Sequence, residues 1–152
     1  MPGSPAPREW FSEGLRFECT SCGQCCTGPP GVVEFTRGEG LRMARNLGLG
    51  YREFLSLHAM QIDGGWSLQE IPDPEGQGLD CTMLDRQSVP GKALCRVYPA
   101  RPQQCRTWPF WPENLYSPHA WRRAGRRCPG MDRGELVTLD EIRRRMEPRP
   151  SL

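Results

Sequence analysis

Histidine is nearly missing from this chain: His58 and His119 are the only two in 152 residues. A site built on several imidazoles is excluded, and any metal must be held mainly by sulfur. Lysine is scarcer still, with Lys92 standing alone among nineteen arginines. Arginine favours planar, bidentate partners, although a compositional bias of the genome gives the same count. No apolar stretch approaches the length that spans a bilayer, so no membrane association is expected. The opening residues, Met1-Pro-Gly-Ser-Pro-Ala-Pro-Arg8, carry no apolar h-region, and the expected location is the cytoplasm. No Walker motif or dinucleotide fingerprint is present. Hydrophobic residues make up only 37% of the chain, while glycine (17) and proline (16) are plentiful. Turns and extended segments should dominate, and cross-links would offset the entropy of ordering them.

What the chain does have is cysteine, eight residues in all. Four fall in Cys19-Thr-Ser-Cys22-Gly-Gln-Cys25-Cys26, and the others come singly as Cys81, Cys95, Cys105 and Cys128. Disulfides do not persist in a reducing compartment, and neighbours such as Cys25 and Cys26 bridge only with strain. Metal ligation is the favoured reading, ahead of structural disulfides and redox-active thiols. Soft thiolates suit zinc, Cu(I) and iron–sulfur clusters. Cysteines separated by two residues turn readily onto one metal, and Cys19, Cys22 and Cys25 form a run of such pairs. Adjacent residues diverge, so Cys25 and Cys26 are expected on different centres or on different irons of one centre.

Eight sulfurs allow two four-ligand sites. One division sets Cys19, Cys22, Cys25 and Cys128 apart from Cys26, Cys81, Cys95 and Cys105; a single cluster with spare thiols is the alternative. The first set echoes, without matching, the bacterial ferredoxin run, whose fourth cysteine also precedes a proline. Zinc accepts all-thiolate sites and needs no electron-transfer role. The expected cofactor is an iron–sulfur cluster or zinc, in one or two centres. The formal charge of +2 would fall as thiols ionise on binding.

The expected fold is a small, irregular α+β domain organised by metal, with short β-hairpins and three or four helices. Residues 1–9 read as a flexible lead-in, 10–147 as one cysteine-cluster domain and 148–152 as a flexible tail. Leu15 to Glu18 alternates like a short strand, and Val32 to Phe35 is a second candidate. Thr36 and Glu39 match a capping box, opening a helix with Leu41, Ala44 and Leu47 on one face. A second helix fits Tyr51 to Ala59. Met60 to Ile62 and Trp66 to Leu68 form a hairpin around Asp63-Gly-Gly65. Cys81 to Leu84 and Ala93 to Tyr98 suggest a second hairpin with a cysteine near each end. Pro102 starts a short helical turn, the Trp108-to-Pro112 stretch reads as a lid over the cluster, and Thr138 with Glu141 caps a final helix.

These residues together resemble the YkgJ-like CxxCxxCC cysteine-cluster family of zinc- or iron-chelating proteins. The resemblance runs through Phe17-x-Cys19-x-x-Cys22-Gly-x-Cys25-Cys26 and Gly31-Val-Val-x-Phe-Thr36. It continues through Cys81 with Met83 and Leu84, then Cys95-x-x-Tyr98-x-x-Arg101-Pro102-x-x-Cys105-Arg106 with Pro109-Phe110, to Cys128-Pro129-Gly130. It implies metal chelation, often by an iron–sulfur cluster, and carries no substrate or reaction.

Arg101 and Arg106 flank Cys105 and are the candidate cofactor-binding residues, placed to offset thiolate charge; bracing of the local turn is the plainer role. Tyr98 and His58 read as structural side chains. Arg122, Arg123, Arg126, Arg127 and Arg143 to Arg145 concentrate positive charge, but no nucleic-acid reading motif accompanies them. Nucleic acid is therefore disfavoured, a protein partner is compatible, and no substrate is identifiable. The leading function is a metal-binding protein serving electron transfer or metal handling. A zinc-stabilised protein-interaction module and a metal-dependent oxidoreductase are the alternatives, and no residue stands out as catalytic. Replacing Cys22 with serine should lower both bound metal and thermal stability; a protein unchanged in both measurements removes Cys22 from the ligand set.

Overall fold

A chain this rich in glycine and proline interrupts its strands early, and the computed structural model, which describes residues 9–147, is a succession of short elements. The expected tail at 148–152 and all of the lead-in except Glu9 lie outside the described residues. Strand β1 (Leu15–Phe17) and a 3-10 turn at Gln24–Cys26 precede β2 (Thr27–Gly28), β3 (Glu34–Phe35), α1 (Arg37–Asn46) and α2 (Tyr51–His58). Six strands follow: β4 (Ala59–Ile62), β5 (Gly65–Leu68), β6 (Glu70–Pro72), β7 (Leu79–Cys81), β8 (Leu84–Asp85) and β9 (Leu94–Cys95). A second 3-10 turn, Tyr98–Ala100, leads to α3 (Gln103–Thr107), α4 (Pro112–Leu115), α5 (Pro118–Gly125), β10 (Met131–Val137) and α6 (Leu139–Met146). This is the expected irregular α+β architecture. Helices α1, α2, α5 and α6 have eight residues or more, and α3 and α4 add two shorter turns.

The described residues form two compact units, one of residues 21–108 and one of 9–20 with 109–147. In the first, the capping box forms as read: Thr36 Oγ1 accepts from the Glu39 amide at 3.1 Å, and Glu39 Oε1 accepts from the Thr36 amide at 2.9 Å. The buried face of α1 is Gly40, Met43 and Ala44, whereas Leu41 is 42% exposed. Gly40 explains the rotation. A Cβ there would lie 2.8 Å from the Phe35 ring and 2.9 Å from that of Tyr51, so the helix approaches at a point where no side chain fits. Leu41, the next residue round, is turned to solvent.

Phe35, Met43, Ala44, Phe54, Ala59, Leu68, Met83 and Val97 form the core of this unit, with Cys81 and Cys95 packed at its edge. The first expected hairpin is present, with Ala59 opposite Leu68 and Ile62 opposite Gly65; β3 joins the far edge of β5. The second differs. Cys81 belongs to β7, which lies between β2 and β6, and the hairpin proper pairs Leu84–Asp85 with Leu94–Cys95. The chain turns between β7 and β8, sinking Met83 into the core (1% exposed) and ending the strand after Cys81.

In the other unit, β1 and β10 pair antiparallel, but the partner jumps from Leu136 opposite Arg16 to Met131 opposite Phe17. The intervening residues bow outward, held by Arg16 Nη1 donating to the Gly134 carbonyl and Trp121 Nε1 donating to Asp132 Oδ1, each at 2.9 Å. Phe110, read from sequence as part of a lid, is fully buried in this unit's ring cluster. It stacks on Trp121 at 5.7 Å and meets Phe17 edge-on at 6.1 Å. Ser117 and Thr138 cap α5 and α6 through their hydroxyls. Among the described residues no helix is long and apolar enough to cross a membrane. Replacing Phe54, which is fully buried and meets the Phe35 ring edge-on at 5.7 Å, with alanine should cost about 3–5 kcal/mol. A urea titration should show this as a lower midpoint at unchanged slope; an unmoved midpoint contradicts Phe54 as the centre of that core.

Candidate metal centre

Five thiols of the 21–108 unit, carried by four separate pieces of chain, each lie within electrostatic reach of at least two of the others. Cys25 and Cys26 come from the 3-10 turn, Cys81 from the end of β7, Cys95 from the end of β9 and Cys105 from α3. They are close enough to influence one another's ionisation. Cys26 is affected by Cys25, Cys81 and Cys105, and Cys105 by Cys81, Cys95 and Cys25. Cys22 belongs to the same unit, where its Sγ accepts from the Gln24 amide at 3.5 Å. Cys19 and Cys128 belong to the other unit, one exposed and one buried. They flank a backbone bond in which the Glu18 amide donates to the Gly130 carbonyl at 3.0 Å.

The loop carrying Cys22 to Cys26 is seated by Gly23. Its φ is +76°, and a Cβ would lie 2.6 Å from that of Ala93. Both the turn and the close approach therefore demand glycine. The Ala93 amide donates to the Ser21 carbonyl at 2.9 Å, fixing the loop beside the strand that ends in Cys95. The Cys26 amide donates to the Gly23 carbonyl at 3.0 Å and completes the turn. Sequence reasoning placed Cys25 and Cys26 pointing apart; their sulfurs lie 3.8 Å from each other. The chain passes here from 3-10 turn into strand, so neither regular alternation governs the pair.

Helix α3 is anchored from two sides. Gln104 donates through Nε2 to the Val32 carbonyl at 2.9 Å and accepts at Oε1 from the Glu34 amide at 3.2 Å. Glu39, only 5% exposed, accepts the Gln103 amide at Oε2, with Arg106 Nη2 at 3.9 Å. One carboxylate thus caps α1 and holds the start of the helix bearing Cys105. Nothing in the sequence marked Glu39 for this second task. Arg101 donates through Nε to the Tyr98 carbonyl at 3.0 Å and through Nη1 to the Cys105 carbonyl at 3.4 Å, and its guanidinium lies 3.8 Å over the Tyr98 ring. Tyr98 is half exposed. His58 Nδ1 lies 3.1 Å from Thr82 Oγ1, and burial holds its pKa below the ordinary imidazole value.

Crowding sets the protonation of the cluster. Burial pushes Cys81 up to about 11 and Cys105 up to about 12, with neighbouring thiols adding to it. Cys25 moves the other way, to about 7, chiefly because its sulfur shares a hydrogen bond with that of Cys26, in which either thiol can donate. Cys26, holding the shared proton, is driven upward. Free of metal, the group therefore keeps most of its protons, and metal binding must release them.

The donor chemistry fits zinc or an iron–sulfur centre. A tetrahedral zinc with sulfurs at about 2.3 Å has edges of about 3.8 Å, the separation found between Cys25 and Cys26. Among the described residues, however, no group of three or more His, Cys, Asp or Glu side chains is arranged to hold a metal ion as it stands. A family model described as "CxxCxxCC: Putative zinc- or iron-chelating domain" matches residues 18–129. No solved structure matches the chain.

In metal-free protein, alkylation of Cys25 by iodoacetamide, followed by peptide mass spectrometry, should rise with a midpoint near pH 7. Its lowered pKa leaves thiolate available above that pH, while Cys81 and Cys105 stay protected. Removing the donating thiol with Cys26→Ala should move the midpoint upward, towards the ordinary thiol value of 9.0. A midpoint indifferent to that change refutes the proton-sharing pair.

Proposed function

Since this chain belongs to the CxxCxxCC family of zinc- or iron-chelating domains, we propose that its chelating ligands are drawn from the thiols of Cys22, Cys25, Cys26, Cys81, Cys95 and Cys105, for metal handling or electron exchange. What supports this reading is that thiols from four pieces of chain in one unit influence one another's ionisation, and that Cys22 begins the loop carrying Cys25 and Cys26. Crowded thiols cost free energy through desolvation and mutual repulsion on ionising, and a bound cation relieves both. Bound zinc or iron would supply a soft cation to which these sulfurs bond as thiolates. Arg101 would offset the negative charge left over, and Arg106, beside Glu39, would brace the helix that carries Cys105.

Cys25 is exposed, which suits a centre that exchanges metal or electrons with a partner better than one sealed inside a structural knot. A reducing, cytoplasmic setting would keep the thiols available. The role of a zinc-stabilised interaction module draws support from a different feature: Cys81 and Cys95 pack against the core of their unit, so a metal bound there would also hold the core together.

Anaerobic purification followed by elemental analysis should find zinc or iron in whole-number stoichiometry. A reversible visible chromophore selects the iron–sulfur centre and the exchange role. Colourless, zinc-loaded protein that loses structure on chelation selects the zinc module. Fully folded protein without stoichiometric metal refutes both readings.

A further inference from the structure

We propose that Thr27 and Asp80 are positioning residues that set the register between Cys26 and Cys81, and thereby how tightly the thiol cluster takes up metal; this rests on the metal-ligand reading above. Thr27 directly follows Cys26, and Asp80 directly precedes Cys81. The two are partners in the antiparallel pairing of β2 with β7. Cys26, the last residue of the 3-10 turn, and Cys81, the last residue of β7, therefore adjoin this pair at the same end of the ladder.

The backbone alone specifies this register poorly. Strand β2 is two residues long, and only Thr27 and Gly28 pair across to β7. A slip of one residue would move every side chain of the strand to the opposite face and carry Cys26 away from Cys81. The side chains supply the missing constraint. Thr27 Oγ1 donates to Asp80 Oδ1 at 2.7 Å. The carboxylate is itself held in one orientation by a fork from Arg86, with Nη2 donating to Oδ1 at 2.8 Å and Nε to Oδ2 at 2.7 Å. Asp80 is only 4% exposed, so little water competes for these bonds. A rigid carboxylate on one strand thus reads a hydroxyl on the other, and the match occurs in the intended register. Ladder bonds and core packing place the strands near each other; the hydroxyl–carboxylate bond selects the alignment.

The test is an anaerobic Co(II) titration of the metal-free full chain, read by thiolate-to-cobalt charge transfer and by the d–d bands, for wild type, Thr27→Val and Thr27→Ser. Valine keeps the shape and removes the donor, whereas serine keeps the donor. The expected result is a roughly 10- to 100-fold loss of Co(II) affinity in Thr27→Val with altered d–d bands, and near wild-type behaviour in Thr27→Ser. Thr27→Val that binds as wild type with an identical spectrum overturns the proposal, as does equal weakening in Thr27→Ser. Should circular dichroism show Thr27→Val unfolded, Asp80→Asn replaces it: it keeps an acceptor for Thr27 and disturbs the Arg86 fork. Intermediate weakening then supports the proposal, and unchanged binding overturns it. A wild-type chain that takes up no Co(II) overturns the metal-ligand reading itself, a result distinct from any difference among the variants.

Discussion

Sulfur atoms held this close cannot all ionise at once. Burial raises the cost of ionising Cys81 and Cys105, and each neighbouring thiolate adds to it. Without a cation the group stays largely protonated, with one proton shared between Cys25 and Cys26. With a cation the same crowding becomes favourable, because several thiolates surround one positive charge. Metal affinity in such a site is coupled to proton release and to folding, since the unfolded chain has no preformed ligand set.

Much of the 21–108 unit can be understood as the means of holding those sulfurs in place with little apolar material. Its sheets are two- and three-stranded and its strands short, so ladder bonds alone leave alignment loose. Buried polar side chains take up part of the task. Glu39 ties the start of α1 to the start of α3, and Asp80 ties β2 to β7 and to Arg86. Each is an ionisable residue at 5% exposure or less whose oxygens are satisfied by donors, the condition under which a carboxylate is tolerated away from water. Gly23 and Gly40 contribute by having no side chain: each lets backbone approach a neighbour that a Cβ would meet at 2.8 Å or less.

The unit formed by 9–20 with 109–147 solves its packing differently. Phe17, Phe110, Trp121 and Trp10 meet in stacked and edge-on contacts. The indole N–H groups of the two tryptophans donate to Asp132 and to the Leu115 carbonyl. On α6, Arg144 and Arg145 both pair with Glu141, and Arg143 reaches Glu9. Exposed pairs of this kind contribute little stability individually, and the buried rings supply most of it.

The sequence determined the supply of cysteine, the membership in a chelating family and the local elements whose signals lie within a few residues. The Thr36–Glu39 capping box, the hairpin around Asp63-Gly-Gly65 and the cap at Thr138 involve groups three to ten residues apart, where spacing dictates contact. Tertiary structure decided which thiols meet. Cys25, Cys81, Cys95 and Cys105 are brought together by pairings between remote strands and by the buried carboxylate of Glu39, and no local periodicity encodes those. It also decided that Leu41 turns outward, that Phe110 is core and that Cys25 faces Cys26. Each depends on what another part of the chain places nearby, and a residue's intrinsic preference is silent about its distant neighbours.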